Sequence, residues 1–511
     1  MNQTRNRYLP AICSALLGLA LFAVTIGGTY IFDDRPVVLN DPRIHDPHLW
    51  VKLWTRPYNN NADKLYRPLT SMTYAIQWSL HGDRAWAFHL VNLILHVAVC
   101  GLFAEFVRRL MGMKAAMVAG LLFAAHPIHV EAAANIVGRA ELMCALGIFG
   151  AFTLCLKPIT LGRAMAIFGC MWLAVLTKEQ GMLLPAMLLL LWPVRARLHL
   201  PPDNRQGKLL LILLSTWGLA IYIVARERLL GFTWDRSFLD WTMNPLMRSQ
   251  GIDRWLMPLV LLGHYTALLV APLKLSMDYG AMVIGWTARA GDPYLWLGIL
   301  AAAVWCAIAI AAICRRRWTC LFAAISLAIS YGLVSNMIAL IGVNMAERLM
   351  YTPSAFFLIL VAMAMVPLPR TVLIPAMVIA VGLLGVRSLS YAWRWNNANQ
   401  FYAISLREQP RSIMLYRLLA ADYAYAGQYE QAEQVMDQAA ALLDDYFEVQ
   451  VERGWIRLEQ NKFDQAEQDF TRAMELNPSS YVEGWFNELG RRRSAAATNP
   501  SAPPTFKYQV R

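Results

Sequence analysis

The feature that most constrains this chain is a succession of apolar runs, each near the length of a bilayer crossing, broken by short clusters of Arg and Lys. A crossing needs about 20 mostly apolar residues. Such runs occupy roughly 9–31, 86–107, 113–126, 138–156, 163–177, 181–194, 208–225, 255–272, 294–314, 319–343, 349–366 and 371–388. Of the 511 residues, 57% are hydrophobic and 16% charged, where a soluble domain carries about a quarter charged. A water-soluble enzyme, a disordered chain and a secreted disulfide scaffold are excluded, and 18 Trp and 20 Tyr suit two membrane interfaces. The eight cysteines lie in or beside apolar runs with no disulfide framework or metal spacing, so they assign no compartment.

The net charge of +12 is spread in loop clusters, Arg108–Lys114, Arg195–Lys208 and Arg315–Arg317 among them, as in cytoplasmic membrane loops. This favours anionic headgroups over nucleic acid as partners. Placing these clusters inside requires that 255–272, which holds Pro258, His264 and Pro272, does not cross completely. The expectation is eleven crossings, an uncleaved first span, external loops at 32–85 and 226–293, and an external C-terminus.

A different pattern begins near Trp393. Ala398, Ala432 and Ala466 recur every 34 residues, as do Pro410, Asp444 and Pro478. This is the tetratricopeptide period, with small residues where paired helices touch. The chain therefore divides into a membrane domain (1–392), two and a half repeats with a cap (393–490), and an Ala-, Pro- and Ser-rich tail (491–511) expected to be disordered. The predicted class is all-α: a polytopic helical membrane protein carrying a C-terminal tetratricopeptide solenoid.

Charged interruptions collect on one predicted face. Phe32–Asp33–Asp34–Arg35 opens the first external loop, where a carboxylate at the membrane surface can deprotonate a hydroxyl attacking a lipid-linked electrophile. An Asp-Asp pair alone is more often simply solvated. Tyr66–Arg67–Pro68–Leu69–Thr70 follows, then His89, Asn92 and His96 on one helical face, fit for a cavity or a structural hydrogen-bond role. His126–Pro127–Ile128–His129–Val130–Glu131 continues to Arg139 and Glu141; capped turns and buried polar pairs rank ahead of a metal site there, since the spacing matches no zinc motif. Thr177–Lys178–Glu179–Gln180–Gly181 and Ala346–Glu347–Arg348–Leu349–Met350–Tyr351 break two further runs. A transporter would instead place its charges near the midplane in paired repeats.

Those motifs, with His89–His96, Gly138–Leu142, Pro272–Tyr279 and Ala346–Ser354, occur in the order found in the transmembrane and tetratricopeptide-repeat O-mannosyltransferases, and the chain resembles that family of the GT-C glycosyltransferase superfamily from its first span to its cap. The resemblance implies a GT-C fold with its site on the lumenal or periplasmic face. It also implies a polyprenyl- or dolichyl-phosphate sugar donor, mannose in the characterised members, and transfer to Ser or Thr of a protein. The family's catalytic Asp pair falls on Asp33 and Asp34. Two features depart from the family: a short repeat array, which suggests a bacterial relative, and Ser276–Met277–Asp278–Tyr279 in place of Ser-Tyr-Asp-Trp.

In the chemistry this implies, Asp33 or Asp34 is the base of a single inverting displacement. Arg348, then Arg139 and Lys178, meet the charge growing on the lipid phosphate. Tyr66, Arg67, His89, His126, His129, Glu131, Glu179, Asp278 and Tyr351 line the site. No metal ligand set is assigned, and a divalent cation is neither required nor excluded. The repeats hold an acceptor protein or a partner. The expected location is a bacterial inner membrane with periplasmic repeats, or an endoplasmic reticulum membrane with lumenal repeats in a eukaryote. The competing readings are a non-catalytic membrane scaffold presenting the repeats, a lipid-linked sugar transporter, and the same enzyme acting on a glycan or lipid.

Overall fold

Burial in this protein runs opposite to that of a soluble one. In the computed structural model, which describes residues 7–59, 65–198, 200–231 and 240–498, every assigned element is a helix. Over its 18-residue apolar stretch the span Ile136–Cys155 is 89% buried, whereas the corresponding stretches of Pro293–Cys314 and Arg370–Arg394 are 11% buried. Leu209, Ile212, Trp217, Val378, Ile379 and Leu383 stand outward and exposed. A continuous apolar exterior of this extent is stable only against lipid. The chain is an integral membrane protein.

Seven helices are long and apolar enough to cross: Leu9–Gly27, Ala85–Met111, Ile136–Cys155, Arg205–Leu230, Pro293–Cys314, Glu347–Met365 and Arg370–Arg394. The pair Met113–Ala125 and Pro127–Ala134, bent by 56°, makes an eighth if it is one broken span. The expected eleven crossings counted shorter pieces. Leu184–Arg195 has 12 residues, Trp318–Gly332 has 15 and Leu161–Thr177 has 17. At 1.5 Å per residue these reach only about 18–26 Å, against a hydrocarbon core of about 30 Å. The run expected over 319–343 ends as a helix at Gly332, because the asparagines that follow form their own network: Asn336, at φ 58°, bonds the carbonyls of Val343 and Asn344 and accepts from Asn244.

The doubtful segment 255–272 is one continuous helix, Asp253–Val270, running through Pro258. It lies along Pro293–Cys314 at backbone contact. A Cβ on Gly263 would collide with the Tyr294 carbonyl, and one on Gly298 with that of Leu259.

The chain separates into two compact units, one of residues 1–277 and 286–396, the other of 278–285 and 397–511. In the second, helices Ile413–Tyr425 and Phe447–Glu459 begin 34 residues apart, as do Tyr429–Leu442 and Phe463–Leu476. Ala432, Ala439, Ala466 and Ala473 are fully buried where paired helices meet. Gly427 (φ 76°) and Asn461 (φ 58°), also one period apart, make the tight turns between partners. Residues 491–498, expected in a disordered tail, instead continue the helix Ser480–Thr498. Arg491 and Arg492 pair with Glu488, and Arg492 also reaches Glu459 at 2.8 Å. The rest of that expected tail lies outside the described residues.

Candidate functional site

Phe32 takes the left-handed backbone conformation (φ 53°), which L residues other than Gly, Asn and Asp seldom adopt. It turns the chain so that Asp33 and Asp34 face different surroundings. Asp34 is fully buried and accepts from two backbone groups, Ile31 N–H at 3.2 Å and Val137 N–H at 2.9 Å. Burial pushes its carboxyl up to about 7, against the lowering effect of those donors. Asp33 is 34% exposed, and its Oδ2 accepts from Arg348 Nη2 at 3.0 Å. Desolvation raises its carboxyl as well, opposed by the charges of Arg348 and Arg67.

Arg348 opens the short helix Glu347–Met350 and is held from behind. Its Nη1 donates to Glu131 Oε1 at 2.7 Å and its backbone N–H to Glu131 Oε2 at 2.8 Å. Glu131 is 1% exposed, so a buried carboxylate fixes the arginine while its other nitrogen reaches the accessible Asp33. Gly138 permits this bend. A Cβ there would strike the Ala132 backbone, so the chain can fold back from Glu131 to Arg139 only with glycine.

A second pair stands beside the first. Arg67 Nη2 donates to Glu179 Oε2 at 2.8 Å, and its guanidinium lies 5.3 Å from the centre of the Tyr58 ring. Burial pushes the Glu179 carboxyl up, but the Arg67 charge outweighs it and holds the group below its ordinary value. Lys178 is buried and bonded to Glu141. Burial holds its ammonium below the usual lysine range, with Glu141 acting the other way. Arg67 is near enough to act on the charges of Arg348 and Asp33, and Glu141 acts on both arginines. Asp33, Arg67, Glu131, Glu141, Lys178, Glu179 and Arg348 thus form one ionic cluster, drawn from five stretches of sequence.

The other expected residues have different places. Arg139 is fully buried, donating to Asn92 Oδ1 (2.9 Å), Thr73 Oγ1 (3.3 Å) and the Phe88 carbonyl (3.1 Å), with its guanidinium 4.6 Å from the Tyr74 ring. It braces the floor beneath the Asp pair, and no part of it is accessible. His126 caps the turn before Glu131 and lies 3.1 Å from the Leu269 carbonyl. His129 links the Phe123 carbonyl to Ser354, and Tyr351 bonds His96. His89 lies 3.3 Å from the Thr29 carbonyl and Tyr66 donates to that of Trp54. These side chains are buried scaffolding around the cluster. Asp278 belongs to the repeat unit, where Ser412 Oγ donates to it at 2.6 Å. Tyr58, which touches Arg67, and Thr73, which touches Arg139, carried no motif in the sequence. Among the described residues, no three His, Cys, Asp or Glu side chains gather as a metal site.

No protein-family profile matches the chain. It is 26% identical over 363 residues to the protein O-mannosyl-transferase F38B6.6 of Caenorhabditis elegans, covering 68% of this chain and 50% of that protein. It is 26% identical over 480 residues to TMTC4 of Mus musculus, covering 80% and 63%. Against TMTC2 of Homo sapiens it is 32% identical over 185 residues, covering 33% and 22%. The chain thus spans less than two thirds of the length of each of these relatives. Among solved structures, ArnT from Cupriavidus metallidurans bound to undecaprenyl phosphate aligns with 96% of this chain and 78% of its own at 15% identity, with a TM-score of 0.41. By sequence, the chain is similar to these proteins, named protein O-mannosyl-transferases, over as much as 80% of its length.

Proposed function

We propose that this protein is a membrane glycosyltransferase. It moves a sugar, mannose in the first instance, from a polyprenyl-phosphate donor to Ser or Thr hydroxyls of exported protein. The observation that carries this reading is the arrangement Glu131–Arg348–Asp33: a guanidinium anchored on a buried carboxylate and turned toward the most exposed carboxylate of the ionic cluster. The names of the relatives support the reaction class.

In one displacement, the acceptor oxygen bonds to the anomeric carbon while the bond from that carbon to the lipid phosphate breaks. The acceptor proton passes to Asp33, and the electron pair leaves with the phosphate. Arg348 answers the charge that develops there, with Arg67 beside it, so each cation binds the transition state more strongly than the ground state. Asp34, closed in by Ile31 and Val137, holds the turn that aims Asp33. No step is routed through a metal. The chemistry is placed on the external face, in a bacterial inner membrane with periplasmic repeats.

The test is transfer of labelled sugar from polyprenyl-phosphate-mannose to protein in membranes, comparing the natural sequence with Asp33→Asn and Arg348→Gln. Loss in both variants at unchanged protein level supports the assignment. Equal transfer in Asp33→Asn sinks it and returns the scaffold reading to first place.

A further inference from the structure

Four elements carry a residue of the Asp33 cluster or its floor at one end and a cation at the other. The first span is preceded by Arg7 and followed by Asp33. Ala85–Met111 holds Asn92 near its start and Arg108 and Arg109 at its end. Arg139–Cys155 opens on Arg139 and is followed by Lys157, and Leu161–Thr177 runs from Arg163 to Lys178. At 1.5 Å per residue the two ends stand about 25 Å apart. The cations therefore gather at the end of the bundle opposite the Asp33 cluster, where Ala85–Met111 and Ile136–Cys155, both long enough to cross, reach the other membrane face.

They meet closely. Lys157 is held below its ordinary value by Arg109 first, then by desolvation and by Arg163 and Arg7, while Glu105 acts the other way. Glu105 is already shared: Arg108 Nε lies 2.6 Å and Arg109 Nη2 2.7 Å from its two oxygens. The Nε of Arg109 is buried without a hydrogen-bond partner among the described residues. Across the same loop Asp203 is engaged by Arg195 at 2.7 Å and by the Ile159 N–H. Arg7, Arg108, Arg109, Lys157 and Arg163 therefore gather where Glu105 is the one carboxylate that forms an ion pair with any of them among the described residues, and Arg163 donates to the Pro158 carbonyl besides. The rim is lipid-facing, with Leu9, Ile12, Leu161 and Met165 exposed.

We infer that Arg7, Arg109, Lys157 and Arg163 form a binding site for the phosphate of an anionic phospholipid in the leaflet opposite the Asp33 cluster. The headgroup phosphate sits among the four cations and the acyl chains lie on the exposed apolar residues beside them. Like charges brought together at a membrane surface repel one another until an anion is placed between them, and each cation there strengthens anionic-lipid binding about fivefold.

The experiment is native mass spectrometry of the full-length protein in neutral detergent, titrated with phosphatidylglycerol and, separately, phosphatidylcholine. The expected result is selective retention of phosphatidylglycerol, weakened more than tenfold in the double variant Lys157→Gln/Arg163→Gln. The variant Arg315→Gln/Arg317→Gln, which removes the same charge elsewhere, should change it less than twofold. Equal weakening in both double variants would mean diffuse surface charge and overturn the site. Displacement of the lipid by millimolar inorganic phosphate would make it a site for a free anion and overturn the lipid assignment. Arg7→Gln, on an exposed residue before the first helix, gives an independent expectation of about fivefold should the double variant fail to fold.

Discussion

Arg348 donates twice to one carboxylate, from its backbone N–H and from its Nη1, and Glu131 accepts both bonds at 2.8 and 2.7 Å. Glu131 therefore fixes both the peptide and the side chain of the arginine, leaving the remaining Nη2 to Asp33. Glu131→Ala leaves a largely buried guanidinium without its main partner and should cost about 3–5 kcal/mol of stability. Glu131→Gln keeps the shape and one acceptor. It should fold and lose transfer at least tenfold through kcat, because the charge that aims Arg348 is gone. Thermal unfolding of the two variants in detergent, together with donor turnover, checks this. Turnover at the natural rate in Glu131→Gln would show that the anchor is dispensable.

The two adjacent aspartates should fail differently. Asp33→Asn keeps a third-exposed side chain of the same size and should unfold at nearly the natural temperature, while transfer falls about 10²- to 10⁴-fold with loss of the base. Asp34→Asn must turn an amide toward the Ile31 or Val137 N–H. It should lose about 1–3 kcal/mol of stability, with activity falling as the turn loosens. A result in which both variants are stable and equally inactive would contradict the division of roles.

The path from sequence to this site was partly open. Asp33, Glu131, Lys178, Glu179 and Arg348 were visible because each interrupts or borders an apolar run, where a charge is costly and needs a reason, and Arg67 stood out in the motif Tyr66–Thr70. Their pairing was not visible, since Arg348 and Asp33 stand 315 residues apart and meet only when the bundle closes. The histidines stayed open for a related reason. The spacing of His89, Asn92 and His96 puts them on one helix face whether that face lines a cavity or packs inside, and here it packs. Asp278 stood out through the Pro272–Tyr279 motif of the resemblance, and its segment belongs to the other unit. Tyr58 had no distinguishing context, as one tyrosine in a loop of a chain with 20. The 34-residue period was the easiest reading, because a small residue at each helix contact leaves a mark that needs no tertiary knowledge. Span number was harder, since an apolar run does not reveal where its helix stops, as at Gly332.

Stability should depend on pH through Asp34. Its carboxyl titrates near 7 in the folded protein, against 3.8 as the ordinary value, so between those limits the folded state holds a proton that the unfolded chain releases. That contribution is fully present below about pH 4 and fades as pH rises through 7. The unfolding temperature of the full chain in detergent should therefore be higher at pH 6 than at pH 8. The difference should shrink in Asp34→Asn, whose side chain does not titrate. A slope of the opposite sign, or one unchanged in the variant, would assign the dependence to another group.

In the repeat unit the decisive pair is Arg417 and Glu452, one on each of two helices a period apart and both 4% exposed. Two bonds join them, Nη2 to Oε1 at 2.6 Å and Nε to Oε2 at 2.9 Å, and Arg417 Nη1 also reaches the Tyr446 hydroxyl at 3.1 Å. Arg417→Met removes one charge and leaves the Glu452 carboxylate buried without its arginine, which should cost about 3–5 kcal/mol and make residues 397–498 sensitive to protease in the full chain. Adding Glu452→Leu removes that carboxylate and should restore most of the resistance, since a buried ion pair replaced by apolar side chains of similar volume is often neutral. If the single variant resists digestion as well as the natural sequence, water reaches Glu452 and the pair is no strut. If the double variant is as sensitive as the single one, the loss comes from packing around Tyr446 and not from the buried charge.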